Sequence, residues 1–108
     1  MSNYHSVNTS DEISELIASP RSESVLFLYD PYCPTNWRAR TEMDDVGADI
    51  WIVDVAENPV LAKEIERRTQ VKHESPQVLV LKDGKVLWHR SHGGIRASSL
   101  QLALKAAA

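Results

Sequence analysis

Short apolar blocks alternate with polar segments along the chain, and their lengths predict an alternation of strands and helices. Residues 25–29 and 50–55 form two such blocks, which are typical of strands that helices cover on both faces. A third block, at residues 78–81, is followed by Asp83-Gly84 and a further strand-like segment. An Asp-Gly pair between two such segments predicts a β-hairpin.

Helices are predicted at both ends of this pattern. A capping box from Thr9 to Glu12, followed by apolar residues at helical spacing, predicts a first helix. This helix is expected to end within residues 19–22, because they contain a proline. Residues 97–108 predict a last helix with an alanine-rich end. In the returning strand of the hairpin, Val86 and Trp88 are expected on one face.

The two helices between the strands each begin with a proline. Pro34 directly follows Cys33, and proline is favoured at the first helical position, so a helix is expected from Pro34 to about Asp45 with Cys33 as its N-cap. Asn58 is expected to cap a helix that Pro59 opens.

The order of elements is helix, strand, helix, strand, helix, hairpin, helix. Strands joined through a helix are parallel with a right-handed crossover, whereas the hairpin adds antiparallel pairing. The sequence therefore predicts an α/β three-layer domain with a four-stranded mixed sheet. Residues 1–8 are interpreted as a flexible N-terminal leader and residues 9–108 as a single domain.

Composition narrows the class of function. The chain has 108 residues, of which 43% are hydrophobic and 25% charged, and its net charge of -3 argues against a nucleic-acid partner. No apolar run approaches the ~20 residues that cross a bilayer, and the N-terminus is polar, so we expect a cytoplasmic protein. With only one cysteine, any thiol chemistry must be intermolecular.

That cysteine, Cys33, lies between a predicted strand and a predicted helix. Helix N-termini favour negative charge, and the thiolate is the reactive form of cysteine. The alternative is a small buried apolar residue. Farther along the same helix, Arg38 and Arg40 could add positive potential but are more typical of a solvated face, and Trp37 is more typical of a core.

Three features together resemble the thioredoxin fold: a cysteine that opens the first helix after a buried strand, Ser75-Pro76 before the hairpin, and Gly93-Gly94 after it. This resemblance implies a sheet order of 2-1-3-4 for the predicted strands. It also implies a cis peptide bond before Pro76, with that proline beside Cys33.

The resemblance narrows further in the segment Lys-His-Glu-Ser-Pro-Gln at residues 72–77. Together with Asp83-Gly84, a Trp88-containing strand and residues 91–92, this segment is similar to the YtxJ family of monothiol bacilliredoxins, also called bacilliredoxin C. The similarity extends over residues 23–104.

The cysteine motif departs from the family pattern. The family usually carries Cys-Pro-x-Ser, whereas this chain has Cys33-Pro34-Thr35-Asn36. Asn36 therefore stands where relatives keep a serine or a second cysteine, and it cannot resolve a disulfide.

The family resemblance implies thiol–disulfide exchange. Cys33 would attack a mixed disulfide between a client protein and bacillithiol, the co-substrate, and no tightly bound cofactor or metal is expected. The expected partners are bacillithiolated client proteins, a low-molecular-weight thiol and a partner redoxin that resolves the adduct. We expect the protein to act as a monomer.

The candidate site has one catalytic residue, Cys33. Ser75 and Pro76 would present backbone to an extended substrate. His73 and His92 could contact substrate or thiolate, or could instead be ordinary surface or core histidines. The expected substrate-binding residues are Pro34, Thr35, Asn36, His73, Ser75, Pro76, His92 and Gly93.

Two other functions stay open from the sequence. Monothiol relatives in the glutaredoxin branch carry an iron–sulfur cluster between two subunits, but Pro34-Thr35-Asn36 differs from their glycine-rich motif. A non-catalytic thioredoxin-like binding protein is the other alternative.

Overall fold

The structure is a computed structural model that describes residues 1–18 and 23–107. The predicted end of the first helix, at residues 19–22, lies outside the described residues, as does Ala108. Within the described part, the elements in chain order are β1 (Asn3–Ser6), α1 (Ser10–Ala18), β2 (Ser24–Tyr29), α2 (Pro34–Asp44), β3 (Asp49–Asp54), α3 (Pro59–Thr69), β4 (Gln77–Lys82), β5 (Lys85–Ser91), a 3₁₀ turn (His92–Gly94) and α4 (Ala97–Ala107).

The sheet is mixed, with the order β1-β3-β2-β4-β5. Strand β2 pairs in parallel with β3 and antiparallel with β4, and β4 pairs antiparallel with β5. The order predicted for four strands is confirmed by β3-β2-β4-β5. The sheet has five strands rather than four, because β1 adds to the edge of β3.

The additional strand β1 lies in the segment interpreted as a flexible leader, so that interpretation is wrong for these residues. Asn3 to Ser6 pair in parallel with Asp49 to Ile52. On either side of β1, the Ser2 hydroxyl donates to the Met43 carbonyl at 2.6 Å, and Val7 is buried. The strand has no alternating apolar pattern because backbone pairing at a sheet edge holds it.

Two hydrophobic clusters, one on each face of the sheet, make the three layers. One cluster joins the sheet to α1 and α3 through Ile13, Leu61 and Ile65. The other joins it to α2 and α4 through Met43 and Leu100. The buried strands β2 and β4 contribute side chains to both clusters, which is why their sequences are continuously apolar.

Most predicted helix starts are confirmed. The Thr9 hydroxyl accepts from the Glu12 amide at 3.2 Å, and a Glu12 carboxylate oxygen accepts from the Thr9 amide at 3.1 Å, which completes the capping box. Helices α2 and α3 begin at their prolines. Asn58 occupies the N-cap of α3, but its side chain donates to the Asp54 carbonyl at 3.1 Å and does not cap the helix.

The hairpin between β4 and β5 forms as predicted, with one difference in register. Asp83 and Gly84 have φ angles of 53° and 77°, as a type I′ turn requires. The pairing shifts by one residue between Val80 and Leu81. As a consequence, Val86 and Trp88 pack against clusters on opposite faces, and the prediction that they share a face is wrong.

Candidate active site

Cys33 lies between strand β2 and helix α2, beyond the C-terminal end of this central strand. A turn follows β2, in which the Tyr32 amide donates to the Asp30 carboxylate at 2.9 Å and the Cys33 amide donates to the Asp30 carbonyl at 3.2 Å. Cys33 has extended backbone angles and is the N-cap of α2, and its carbonyl accepts the first helical bond from Asn36 at 2.9 Å. The free thiol is partly exposed.

The environment of Cys33 stabilises its thiolate. Sγ lies 3.0 Å from the Thr35 hydroxyl oxygen. Hydrogen bonding from that hydroxyl is the largest cause of a lowered pKa of Cys33, and the Thr35 backbone amide adds to it. Burial acts in the opposite direction, and the side chain and amide of Asn36 lower the pKa further. A lowered pKa increases the thiolate fraction, and with it the reactivity, at neutral pH.

Asn36 is buried beneath the thiol and links two loops. Its Oδ1 accepts from the Asp30 amide at 3.0 Å and from the Ser75 hydroxyl at 3.1 Å. Because a backbone N–H can only donate, the oxygen of Asn36 must face Asp30, which fixes the position of Nδ2. Nδ2 is buried and has no hydrogen-bond partner among the described residues. The amide therefore joins the Cys33 turn to the Ser75 loop, and its Nδ2, which makes no hydrogen bond of ordinary geometry, is the donor through which the Asn36 side chain lowers the pKa of Cys33.

The Ser75-Pro76 segment is the second side of the site. Its peptide bond is cis, which is the isomer that the resemblance implies. The Gln77 side chain shapes the loop, because its Nε2 donates to the Lys72 carbonyl at 2.9 Å and its Oε1 accepts from the Glu74 amide at 3.3 Å. The Pro76 carbonyl accepts from the His92 amide at 3.1 Å, so this loop is also fastened to the turn after β5.

These loops enclose a cavity of about 390 Å³ beside the thiol, and this cavity is called the side cavity below. It is lined by Thr35, Arg38, Pro76, His92, Gly93 and Arg96. Nε2 of His92 lies 2.7 Å from a carboxylate oxygen of Glu74. Hydrogen bonding to His92 lowers the pKa of Glu74, so this carboxylate is already engaged by a residue that lines the cavity.

The structure brings most of the expected substrate-binding residues together. Thr35, Pro76, His92 and Gly93 line the side cavity, Asn36 and Ser75 support it, and Pro34 is exposed at the start of α2. The exception is His73, whose amide donates to Glu66 in α3 at 2.7 Å. No contact among the described residues joins His73 to Cys33.

Three further side chains differ in role from the sequence interpretation. Trp37 is not in the core: it is 55% exposed, and its indole donates to the Pro31 carbonyl at 2.9 Å. Arg40 lies over the ring of Tyr4 at 3.9 Å and does not line the side cavity. Arg96 was missed, and the only signal for it is a basic residue shortly after the Gly93-Gly94 pair.

The described residues contain neither a candidate metal site nor a candidate membrane-spanning helix. No cluster of three or more histidine, cysteine, aspartate or glutamate side chains in the described ranges is placed to hold a metal ion. Each helix among residues 1–18 and 23–107 is too short or too polar to cross a membrane.

The fold and the site define a protein of the thioredoxin-fold class with a free cysteine at the N-terminus of α2. The chain is similar to a thioredoxin-fold protein that is proposed to be an oxidoreductase, with 26% identity over 93% of this chain and 92% of that one and a TM-score of 0.85. It shares the fold of a mutant thioredoxin from Halobacterium salinarum (16% identity, 97% and 90% covered, TM-score 0.75). Thioredoxin from Trypanosoma brucei brucei also has this fold (14% identity, with 96% of this chain and 89% of that one covered, TM-score 0.77).

The family model of the monothiol bacilliredoxin BrxC matches residues 5–100. The chain therefore belongs to this family, and the recognition made from the residue 72–77 segment is confirmed. The family and the fold together support a monothiol redox function.

Proposed function

We propose that this protein is a monothiol thiol–disulfide oxidoreductase that removes bacillithiol from protein mixed disulfides. The observation that carries the proposal is the partly exposed Cys33 thiol at the N-terminus of α2, with its pKa lowered by Thr35 and by Asn36, the residue that binds Ser75 of the Ser75-Pro76 loop. A thiolate fixed opposite a loop that can pair with an extended peptide is suited to attack on a disulfide.

In the first step, the Cys33 thiolate attacks the bacillithiol sulfur of the mixed disulfide. The new Cys33–bacillithiol disulfide forms as the old one breaks, and the client cysteine leaves as a thiolate that takes up a proton. One disulfide is consumed and one is formed, so the step needs no external electrons. Thr35 and the Asn36 amide lower the free energy of the attacking thiolate.

In the second step, an external thiol must release Cys33, because Asn36 has no sulfur with which to resolve the adduct. We propose free bacillithiol or a partner redoxin for this role: its thiolate attacks the bacillithiol sulfur, Cys33 leaves as thiolate, and the attacking thiol departs joined to bacillithiol in a new disulfide, so that one disulfide is again consumed and one formed. Bacillithiol is thus a co-substrate, and no bound cofactor or metal takes part. The protein is proposed to act as a monomer.

Two aromatic side chains flank the thiol and support a protein client. Tyr32 is 73% exposed and Trp37 is 55% exposed, on either side of Cys33 in sequence. Exposed aromatic side chains are enriched where proteins bind partners. A reduced thiol as the working form also favours the cytoplasm as the compartment.

Mass spectrometry of a model protein–bacillithiol mixed disulfide, incubated with the wild type and with Cys33→Ser, tests the proposal. We expect the bacillithiol mass to move to the wild-type chain while the client becomes reduced, and to stay on the client with Cys33→Ser. Transfer that persists without the Cys33 thiol would contradict the mechanism.

The same preparations separate the alternatives. A brown protein after anaerobic reconstitution with iron and sulfide would support the cluster carrier. An unreactive Cys33 whose pKa is that of free cysteine, with bacillithiolated clients left intact, would support the non-catalytic binding protein.

A further inference from the structure

Two guanidinium groups line the side cavity without an opposing charge. Arg38 reaches it from α2, and Arg96 reaches it from the segment between the 3₁₀ turn and α4. Neither arginine forms an ion pair with any other described residue. The carboxylate of Glu74, next to the cavity-lining His92, already binds that histidine at 2.7 Å. The side cavity is therefore positive, and its charge is free for a ligand.

The side cavity is connected to the reacting sulfur through Thr35. Thr35 belongs to both, since its hydroxyl oxygen lies 3.0 Å from Sγ of Cys33 and its side chain lines the cavity. The opposite wall includes Gly93, where no described atom lies within 4 Å of the position a Cβ would take. A group bonded to the Cys33 sulfur on the side of Thr35 would thus lie next to this positively charged space.

We propose that the side cavity is a recognition site for the carboxylate group of a small thiol, with Arg38 and Arg96 as its specificity-determining residues. The inference rests on the proposed function and deepens it. Arginine is suited to this role because its planar fork matches a carboxylate. Bacillithiol carries a malate group, a dicarboxylate, apart from its thiol, and about 390 Å³ falls within the size range of small-molecule sites.

A carboxylate could also come from an acidic side chain of the client next to its modified cysteine. The placement of the arginines favours the small thiol. Arg38 and Arg96 line the side cavity together with Thr35, the residue next to the Cys33 sulfur, whereas Tyr32 and Trp37 do not line it and offer an exposed surface to a protein chain. The test below keeps the client constant so that the two sources give different results.

The test measures transfer rates to Cys33 from one client protein carrying either bacillithiol or the neutral thiol 2-mercaptoethanol. The variants are Arg38→Gln and Arg96→Gln, with Arg67→Gln on the exposed face of α3 as the matched control. With bacillithiol, each single variant should be about tenfold slower, which is roughly what one charge-assisted hydrogen bond contributes. With the 2-mercaptoethanol adduct, the transfer rates of Arg38→Gln and Arg96→Gln should stay within about twofold of the wild-type rate. The transfer rate of Arg67→Gln should stay within about twofold with either adduct.

A binding measurement makes the inference independent of the chemistry. S-methyl bacillithiol, which cannot form a disulfide, is titrated into Cys33→Ser with and without Arg38→Gln, and we expect affinity to fall about tenfold in the double variant. Equal affinities, or equal rates for the variants and the wild type with the bacillithiol adduct, would overturn the inference. Equal slowing with both adducts would overturn it in favour of a client carboxylate.

The two levels of proposal fail in different ways. Transfer from neither adduct to wild-type Cys33 refutes the proposed function, and the arginine dependence of S-methyl bacillithiol binding then still decides whether the side cavity holds the carboxylate.

Discussion

Replacing Asn36 by alanine should both destabilise the fold and raise the pKa of Cys33. The side chain is 1% exposed and accepts two hydrogen bonds through Oδ1, from the Asp30 amide and the Ser75 hydroxyl. Alanine leaves the part-buried Asp30 N–H without its acceptor, which costs about 1–2 kcal/mol, toward the lower end of the range for a buried donor. The Ser75 hydroxyl is only partly buried, so water can replace its acceptor at little cost.

Nδ2 makes no hydrogen bond of ordinary geometry, and this reduces the expected loss. A buried amide nitrogen without a partner already costs free energy in the native chain, and alanine removes that cost together with the favourable bonds. The two effects together give an expected loss of about 1–2 kcal/mol in the free energy of unfolding. The pKa of Cys33 should rise because the Asn36 side chain is one cause of its lowering.

Asn36→Asp separates the donor from the packing. It keeps an oxygen in place of Oδ1 but puts a second oxygen in place of Nδ2, and its negative charge opposes the thiolate. We therefore expect the pKa of Cys33 to increase in the order wild type, Asn36→Ala, Asn36→Asp. Asn58→Ala is the matched control, because Asn58 is the N-cap of α3 and contacts the Asp54 carbonyl rather than the thiol.

Urea unfolding measures the stability change, and the pH dependence of alkylation by iodoacetamide measures the pKa of Cys33. Combining Asn36→Ala with Ser75→Ala in a double-mutant cycle should give a coupling of about 0.5–1 kcal/mol, since the two side chains share a hydrogen bond. The reasoning is refuted if Asn36→Ala leaves both the stability and the pKa at their wild-type values, or if Asn58→Ala shifts the pKa as much.

Three other measurements check separate parts of the structure. Thr35→Val should raise the pKa of Cys33 and slow its alkylation at neutral pH, whereas Thr41→Val, which loses a bond to a backbone carbonyl on the same helix, should not. Because the folded chain lowers the pKa of Cys33, the thiolate stabilises the fold above the pKa of the unfolded thiol. Urea titrations of wild type and Cys33→Ser should therefore show this advantage disappear as pH falls through the folded pKa, and an advantage that grows on acidification would contradict the shift. Val7→Ala should cost about 1–2 kcal/mol in urea unfolding, and Val60→Ala, at an 80% exposed position, less than about 0.5 kcal/mol; equal costs would mean that β1 is not docked.

The parts of the fold that the sequence predicts are those with strong local signals. Strands β2 and β4 are buried on both faces and therefore continuously apolar, and α2 and α3 begin with proline. Strand β1 has no such signal. Only Tyr4 is partly buried within it, and the strand depends on pairing with β3, whose register a pattern of polar residues does not reveal.

The candidate site divides in the same way. Cys33, Thr35 and the start of α2 are close in sequence, so the lowered pKa could be expected from helix geometry. The bond between Asn36 and Ser75 joins residues far apart in the chain and depends on how β2 and β4 pair. Arg96 shows the same limit, because an isolated arginine after two glycines carries no pattern that distinguishes a cavity wall from a solvated surface.

The parallel pairing of β1 has a consequence for the order in which the protein can be assembled on the ribosome. Asn3 to Ser6 meet their partners only when Asp49 to Ile52 have been synthesised, and β2 pairs in parallel with the same strand β3. Non-local pairing of this kind has the entropy cost of closing a long loop before any contact between the strands stabilises it. The first strand to be synthesised therefore waits unpaired through the synthesis of α1, β2 and α2, and its docking cannot precede the appearance of β3.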